Sequence, residues 1–219
     1  MNFAQLTGRS EEHLCVFEDD FKIYKPIEKD LCSFLSSIRQ AGFDAQLASS
    51  YRSFDRQLLI WNEKAEGKRP LFDPLGNELD YNKLSEEKIL QSMLYWSAIP
   101  GTSRHHWGTD FDLYDAAGFQ DQKLKLLNCE YENDGPCAAM TQFIAKNPSV
   151  FFRPYQGSKL IQEEKWHYSH RHFSLQFFQL YDYQVFEKNI QMATQLAFRD
   201  YLLSNCLKFY QAIQNSVTL

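Results

Sequence analysis

The sequence predicts an α+β fold: a small central antiparallel sheet flanked by helices, with a C-terminal helical extension. Three observations predict it. Apolar residues recur at helical spacing in several separated segments. The stretch from Thr109 to Tyr114 alternates with strand period. From about Ser174 to Leu219 the chain reads as long helical runs rich in aromatic residues. With 219 residues, 44% of them hydrophobic and 16% aromatic, the chain can bury a sizeable core, which excludes disorder for most of it. There is no internal repeat or low-complexity segment, so the reading is one domain over residues 1–219, with its core at about 25–173 and the extension at about 174–219.

Each element has its own local reason. Between Ile27 and Gly42, the residues Leu31, Phe34, Leu35 and Ile38 fall on one helical face, and Gly42 is placed to end the helix. FDAQLASSYR reads as a strand, and SFDRQLLIWNEKAEG as a helix that stops near Gly67. From Lys68 to Lys83, Pro70, Pro74 and Gly76 mark a long surface loop. Ser85 is then an N-cap, followed by two glutamates, a stripe of Ile89, Leu90, Met93 and Leu94, and Pro100 as a stop. In the stretch Thr109 to Tyr114, Phe111 and Leu113 share one face and Asp110 and Asp112 the other, so two carboxylates point the same way. A helix over Cys137 to Lys146 follows, and VFFRPY and KWHYSHRHF are short aromatic strands. The final helical runs carry Phe177, Phe178, Tyr181, Phe186, Leu196, Phe198, Tyr201, Leu202 and Leu207.

The formal net charge of −5 excludes the basic field that draws a protein to nucleic acid or anionic lipid. The acidic start MNFAQLTGRSEEHLCVFEDDFK lacks the features of a secretory signal, and no stretch reaches membrane-spanning length, so the expectation is a soluble, cytoplasmic protein. Cys15, Cys32, Cys129, Cys137 and Cys206 are odd in number and form no CxxC pair, which favours reduced thiols. A Cys129 to Cys137 bridge is the lesser reading, because CEYENDGPC also reads as a polar loop.

Chemistry concentrates in SRHHWGTDFDL, Ser103 to Leu113. A hydrolytic zinc site needs three protein ligands and one open position for water. His105 and Asp112 supply two, provided Gly108 turns the chain, since on a straight strand they would face opposite sides. The third comes from EEKWHYSH, where His167 completes the set and Glu164, three residues earlier, is the carboxylate that takes a proton from water and passes it on. That pairing requires a bend near Lys165. Asp110 is read as a partner that orients a ligating histidine, ahead of a ligand or an exposed strand residue. Glu163 is assigned to solvent, and His13, His106, His170 and His172 to ordinary surface or core positions.

SRHHWGTDFDL, the later EEKWH and the upstream SSYRSFDRQ together resemble the D-alanyl-D-alanine carboxypeptidase family of zinc peptidases, which includes VanY-type enzymes and L,D-carboxypeptidases. The matches run from Ser49 to His167 in the family's order. The resemblance implies one zinc ion held by His105, Asp112 and His167, with Glu164 as catalytic base. It implies that Arg52 pairs with the substrate's terminal carboxylate through its planar fork, that Ser103 helps hold the same group, that Gln57 belongs to this substrate-binding stretch and that Trp166 walls the site. The sequence departs from the family at Asp110, where a small residue is usual, and in its longer C-terminal stretch, read as extra core. The implied substrates are peptidoglycan stem peptides or muropeptides. L,D-cleavage of tetrapeptides in muropeptide recycling is the expectation, because a cytoplasmic enzyme that trimmed pentapeptides would destroy wall precursors. The alternatives are D,D-cleavage of D-alanyl-D-alanine ends and a non-catalytic zinc-containing peptidoglycan-binding module, a loss of hydrolysis that the resemblance to Hedgehog-type signalling domains shows is possible on this fold. The sequence carries no signal of oligomeric state.

Overall fold

The alternation around Asp112 lies in the middle of the molecule. The computed structural model describes residues 1–119, 122–158 and 160–218. In chain order the elements are α1 (Phe3–Leu6), β1 (Leu14–Phe17), β2 (Phe21–Tyr24), α2 (Glu28–Gln40), β3 (Ala45–Ser49), α3 (Phe54–Ala65), β4 (Leu71–Phe72), β5 (Glu78–Leu79) and α4 (Glu86–Trp96). They continue as β6 (Asp110–Asp115), α5 (Ala138–Lys146), β7 (Phe151–Phe152), β8 (His167–His170), α6 (Arg171–Leu180), α7 (Tyr183–Met192), α8 (Arg199–Ser204) and α9 (Cys206–Gln214).

The central sheet has four strands in the order β3-β6-β8-β7. Every neighbouring pair in it is antiparallel, and the register sets Asp112 opposite His167, Phe111 opposite Tyr168 and Asp110 opposite Ser169. Because side chains alternate across a strand, Phe111 and Leu113 turn toward α2 and join a core with Leu31, Phe34, Leu35 and Ile38. The opposite face keeps Asp110 and Asp112. The region expected as one loop from Lys68 to Lys83 carries a small hairpin, β4 paired with β5, too short to show a hydrophobic period. Ser85 caps α4 as its sequence indicates, its Oγ accepting from the Lys88 N–H at 3.3 Å.

A second core lies among α3, α4 and the C-terminal helices, built on Trp61, Met93, Phe177, Phe186, Ile190 and Leu202. Polar bonds tie the same surfaces: Trp61 Nε1 donates to the Ala197 carbonyl at 3.1 Å, and Asn189 Nδ2 to the Pro100 carbonyl at 2.8 Å. The N-terminus joins in, since Trp107 Nε1 donates to the Leu6 carbonyl at 3.1 Å. All five cysteines are free thiols, with Cys129 exposed and Cys137 buried. Among the described residues no helix is long and apolar enough to cross a membrane.

Gly108 supplies the turn that the site requires, at φ 71°, and its carbonyl accepts from the Tyr24 N–H at 2.8 Å. A Cβ there would lie 2.6 Å from Leu14 Cδ2 and 2.7 Å from the Tyr24 nitrogen. Gly108→Ala is therefore expected to lower the unfolding free energy by at least about 1–3 kcal/mol, read as a lower urea midpoint at unchanged slope. An unchanged midpoint would contradict this. Deleting residues 174–219 would strip Trp61 and Met93 of their cover, so the shortened chain is expected to lose the cooperative transition of the full chain in thermal melts. Retention of a sharp transition at the same temperature would show a core that stands alone.

Candidate active site

A short 3-10 turn, Arg104–Trp107, presents His105; Gly108 reverses the chain; and β6 then runs beneath with Asp110 and Asp112. On the neighbouring strand β8 the first residue is His167. Lys165 and Trp166 form the turn before it, the bend that lets Glu164 and His167 face one point.

Second bonds select the nitrogen that each ring offers. His105 Nδ1 lies 2.8 Å from the Ser50 carbonyl and must carry its proton there, which leaves Nε2 free, 3.4 Å from Asp112 Oδ1. His167 Nε2 lies 3.0 Å from Asp110 Oδ1, which leaves Nδ1 on the open side, 3.9 Å from Asp112 Oδ1 and 2.8 Å from Glu164 Oε2. The ligand atoms of His105, Asp112 and His167 all lie within 4.8 Å of one another. Around a tetrahedral zinc with bonds of about 2.1 Å, ligand atoms are spaced by about 3.4 Å. His105 Nε2 and His167 Nδ1, at 3.4 and 3.9 Å from Asp112 Oδ1, stand near that spacing, and Asp112 Oδ1 is buried with no hydrogen-bond partner among the described residues. Two imidazoles and one carboxylate, with a fourth side left to the cavity, are the donor set of a catalytic zinc site.

Asp110 stands behind His167. It is fully buried and accepts from Arg104 Nε at 2.9 Å and Thr109 Oγ1 at 2.7 Å as well as from His167. Arg104 is itself buried and donates to Ser169 Oγ at 2.7 Å. Burial opposes the charge on Asp110, but Arg104 and His167 outweigh it and hold the carboxyl well below the usual range. Asp112 is lowered in the same way, burial being overcome by His105 and His167. For His167, burial disfavours the charged ring, yet the hydrogen bonds to Asp110 and Glu164 prevail and push it up to about 9.

The open side of the triad faces a cavity of about 370 Å³ whose lining includes Arg52, Gln57, Ser103, Glu164 and Trp166. Arg52 is held in place: Nη1 donates to Gln57 Oε1 at 3.0 Å and Nη2 to Ser49 Oγ at 3.2 Å. Gln57 is buried and donates from Nε2 to the Ala98 carbonyl at 2.7 Å, so its amide acts on Arg52. Ser103 is buried at the cavity wall, and Trp166 stacks on Trp96 with ring centroids 6.3 Å apart.

The structure thus brings all the candidate residues to one place, with Asp110 one layer behind the cavity wall. Glu163 does not face solvent freely; it is half-buried and pairs with Arg153 at 3.5 Å, because the turn at Lys165 folds it back onto the chain. His106 is buried between the Gly101 N–H, which donates to Nε2 at 3.0 Å, and the Arg52 carbonyl, and burial lowers it to about 3. Tyr155, buried edge-on to His167 with centroids 5.1 Å apart, and Lys64, a half-buried cavity residue, are absent from the sequence reading. Neither belongs to a spacing pattern, and only the folded chain brings them to the site.

Comparison with known proteins places this geometry in a family. A family model described as VanY, D-alanyl-D-alanine carboxypeptidase, matches residues 20–173. An uncharacterized protein of Haemophilus influenzae is 37% identical over 98 residues, spanning 43% of this chain and 67% of its own. A second from the same organism is 36% identical over 78 residues, spanning 33% of this chain and 60% of its own. Among solved structures, VanYB in complex with D-alanine-D-alanine superposes with a TM-score of 0.54 at 19% identity, covering 76% of this chain and 82% of its own. A VanY D,D-pentapeptidase variant in complex with Zn(II) gives 0.54 at 19% identity, with 78% and 86% covered. The LdcB LD-carboxypeptidase gives 0.51 at 18% identity, with 75% and 71% covered. At such identities these likenesses are of fold. The family match, in contrast, spans well over half of the sequence and includes every residue of the converging triad, so this chain belongs to the D-alanyl-D-alanine carboxypeptidase family.

Proposed function

We propose that the protein is a zinc-dependent carboxypeptidase that removes the C-terminal D-alanine from peptidoglycan stem peptides, acting on the L,D bond of tetrapeptides. The observation that carries this reading is the Glu164 carboxylate, on the cavity wall beside the triad with Oε2 2.8 Å from His167 Nδ1. A zinc-containing module that only binds peptide has no use for a carboxylate at that point.

Zinc bound to His105, Asp112 and His167 would supply a Lewis acid and lower the pKa of a water to about 7. Glu164 Oε2, on the cavity wall, is placed to accept a proton from the attacking water and return it to the leaving amine, a contribution of about 10²–10⁴-fold. Asp110 keeps the proton of His167 on Nε2 and so presents Nδ1 to the cavity. Arg52, already oriented by Gln57 and Ser49, receives the terminal carboxylate in a two-bond fork, with Ser103 beside it. A fixed cation at that place selects a free C-terminus and makes the enzyme an exopeptidase. Trp166, stacked on Trp96, supplies an apolar part of the cavity wall.

The choice of bond rests on the cavity lining, which carries Lys64, Arg69 and Lys125 besides Arg52. A single terminal carboxylate leaves most of that charge unused. The tetrapeptide, with a larger residue before the cut, suits it better than a pentapeptide with alanine there. D,D-cleavage is the second reading, favoured by the fold shared with VanYB in complex with D-alanine-D-alanine.

Glu164→Ala is expected to retain about one equivalent of zinc by elemental analysis and to lose about 10²–10⁴-fold in kcat. Unchanged turnover would remove the assigned role. Incubation with tetrapeptide and pentapeptide muropeptides, followed by mass spectrometry, is expected to show loss of one alanine from the tetrapeptide. Loss from the pentapeptide alone would establish the D,D reading instead.

A further inference from the structure

The chain as a whole is acidic, with a net charge of −5, but its catalytic cavity is not. The lining holds the cations Arg52, Lys64, Arg69 and Lys125 against the carboxylates Asp112 and Glu164, before any divalent ion is added. Such a local reversal of sign focuses an attractive field on anionic ligands. Arg52 has its task at the terminal carboxylate. The others need a reason.

Lys64 is the sharpest case. It sits near the end of α3, half-buried at the cavity wall, and its Nζ donates to Ser97 Oγ; no carboxylate pairs with it among the described residues. An ammonium removed from water without a counter-charge is disfavoured. Burial, reinforced by Arg52 and Arg69 and offset only in part by the Glu164 carboxylate in the same cavity, accordingly pushes Lys64 down to about 8. Arg69 lines the same cavity. Its Nε is engaged by Glu63 Oε2 at 2.5 Å, while Nη1 and Nη2 make no hydrogen bond within the described chain. An ammonium and the outer edge of a guanidinium in one cavity are the donors a carboxylate takes.

We propose that Lys64 and Arg69 form a second anion subsite in the catalytic cavity, which binds a free carboxylate on the side chain of the residue that precedes the scissile bond. The proposal rests on the peptidase reading above. D-alanine, the leaving residue, offers one carboxylate and a methyl group, so a second carboxylate must belong to the acyl side. The second residue of a stem peptide also keeps a free α-carboxylate, but the residue adjacent to the cut is the third, so the substrate class is a stem peptide whose third residue is a diamino dicarboxylic acid such as meso-diaminopimelate, in preference to lysine or to a side-chain amide.

Three tetrapeptides test this: one with free meso-diaminopimelate, one with its side-chain carboxylate amidated, and one with lysine. Binding is measured by calorimetry on the zinc-loaded Glu164→Gln protein, and kcat/KM on the wild type. The free acid is expected to exceed the amide by about 10–100-fold in both, the range of a charge-assisted bond pair. Lys64→Met should compress the ratio to within about threefold, and Lys64→Arg should restore most of it. Equal binding and equal turnover of acid and amide by the unaltered cavity would overturn the subsite and leave the peptidase reading intact. Selective binding of the acid with no cleavage of any peptide would instead sink the peptidase reading and keep the subsite. Failure of all three peptides to bind would overturn both. Should Lys64→Met not fold, the acid-to-amide ratios of the wild type and of the Glu164→Gln protein decide.

Discussion

The antiparallel pairing of β6 with β8 is the constraint on which the rest depends. It sets Asp112 directly across from His167, so two members of the triad meet because a ladder of backbone hydrogen bonds holds them there. A slip of one residue would turn Asp112 into the core and bring Phe111 to the cavity. The aromatic packing of Phe111 against Phe34, Phe151 and Tyr168 on the far face makes such a slip very costly. The apolar core and the polar site are thus two sides of one register.

Behind this pair stands a fully desolvated chain of charge from Arg104 through Asp110 to His167. Buried ion pairs give little net stability, although removing one partner costs about 3–5 kcal/mol. Their contribution here is orientation. With Asp110 holding Nε2 and the Ser50 carbonyl holding His105 Nδ1, each imidazole presents one nitrogen forward, and neither ring has a comparable alternative. Arg52 is set by the same logic, its fork aligned by Gln57 and Ser49 before any ligand arrives.

Much of this was legible in the sequence because it rests on short-range signals. The stripe of Leu31, Phe34, Leu35 and Ile38, the cap at Ser85, and the alternation of Asp110 to Leu113 are local, and each became the element it suggested. The turns required at Gly108 and Lys165 were legible too, since residues of opposite facing had to meet at one point. What was hidden depends on long-range placement. Tyr155 reaches His167 from a segment with no periodic pattern, Lys64 lies at the end of an ordinary amphipathic helix, and Arg104 is an unremarkable letter between Ser103 and His105. Glu163 looked solvent-facing because an extended chain would separate it from Glu164, whereas the turn after it brings Arg153 alongside.

Asn189 is a buried amide on α7 that reaches two distant parts of the chain. Its Nδ2 donates to the Pro100 carbonyl, at the loop leading into the turn that carries His105, and its Oδ1 accepts from Arg9 at 2.7 Å near the N-terminus. Gly101 lies so close that a Cβ on it would be 2.1 Å from that same Oδ1. Positions 101 and 189 are therefore not free to drift independently. A side chain at 101 would demand a smaller residue at 189 and would still be strained by the left-handed backbone there, φ 87°, so the bare glycine is what lets a buried amide tie these two segments together.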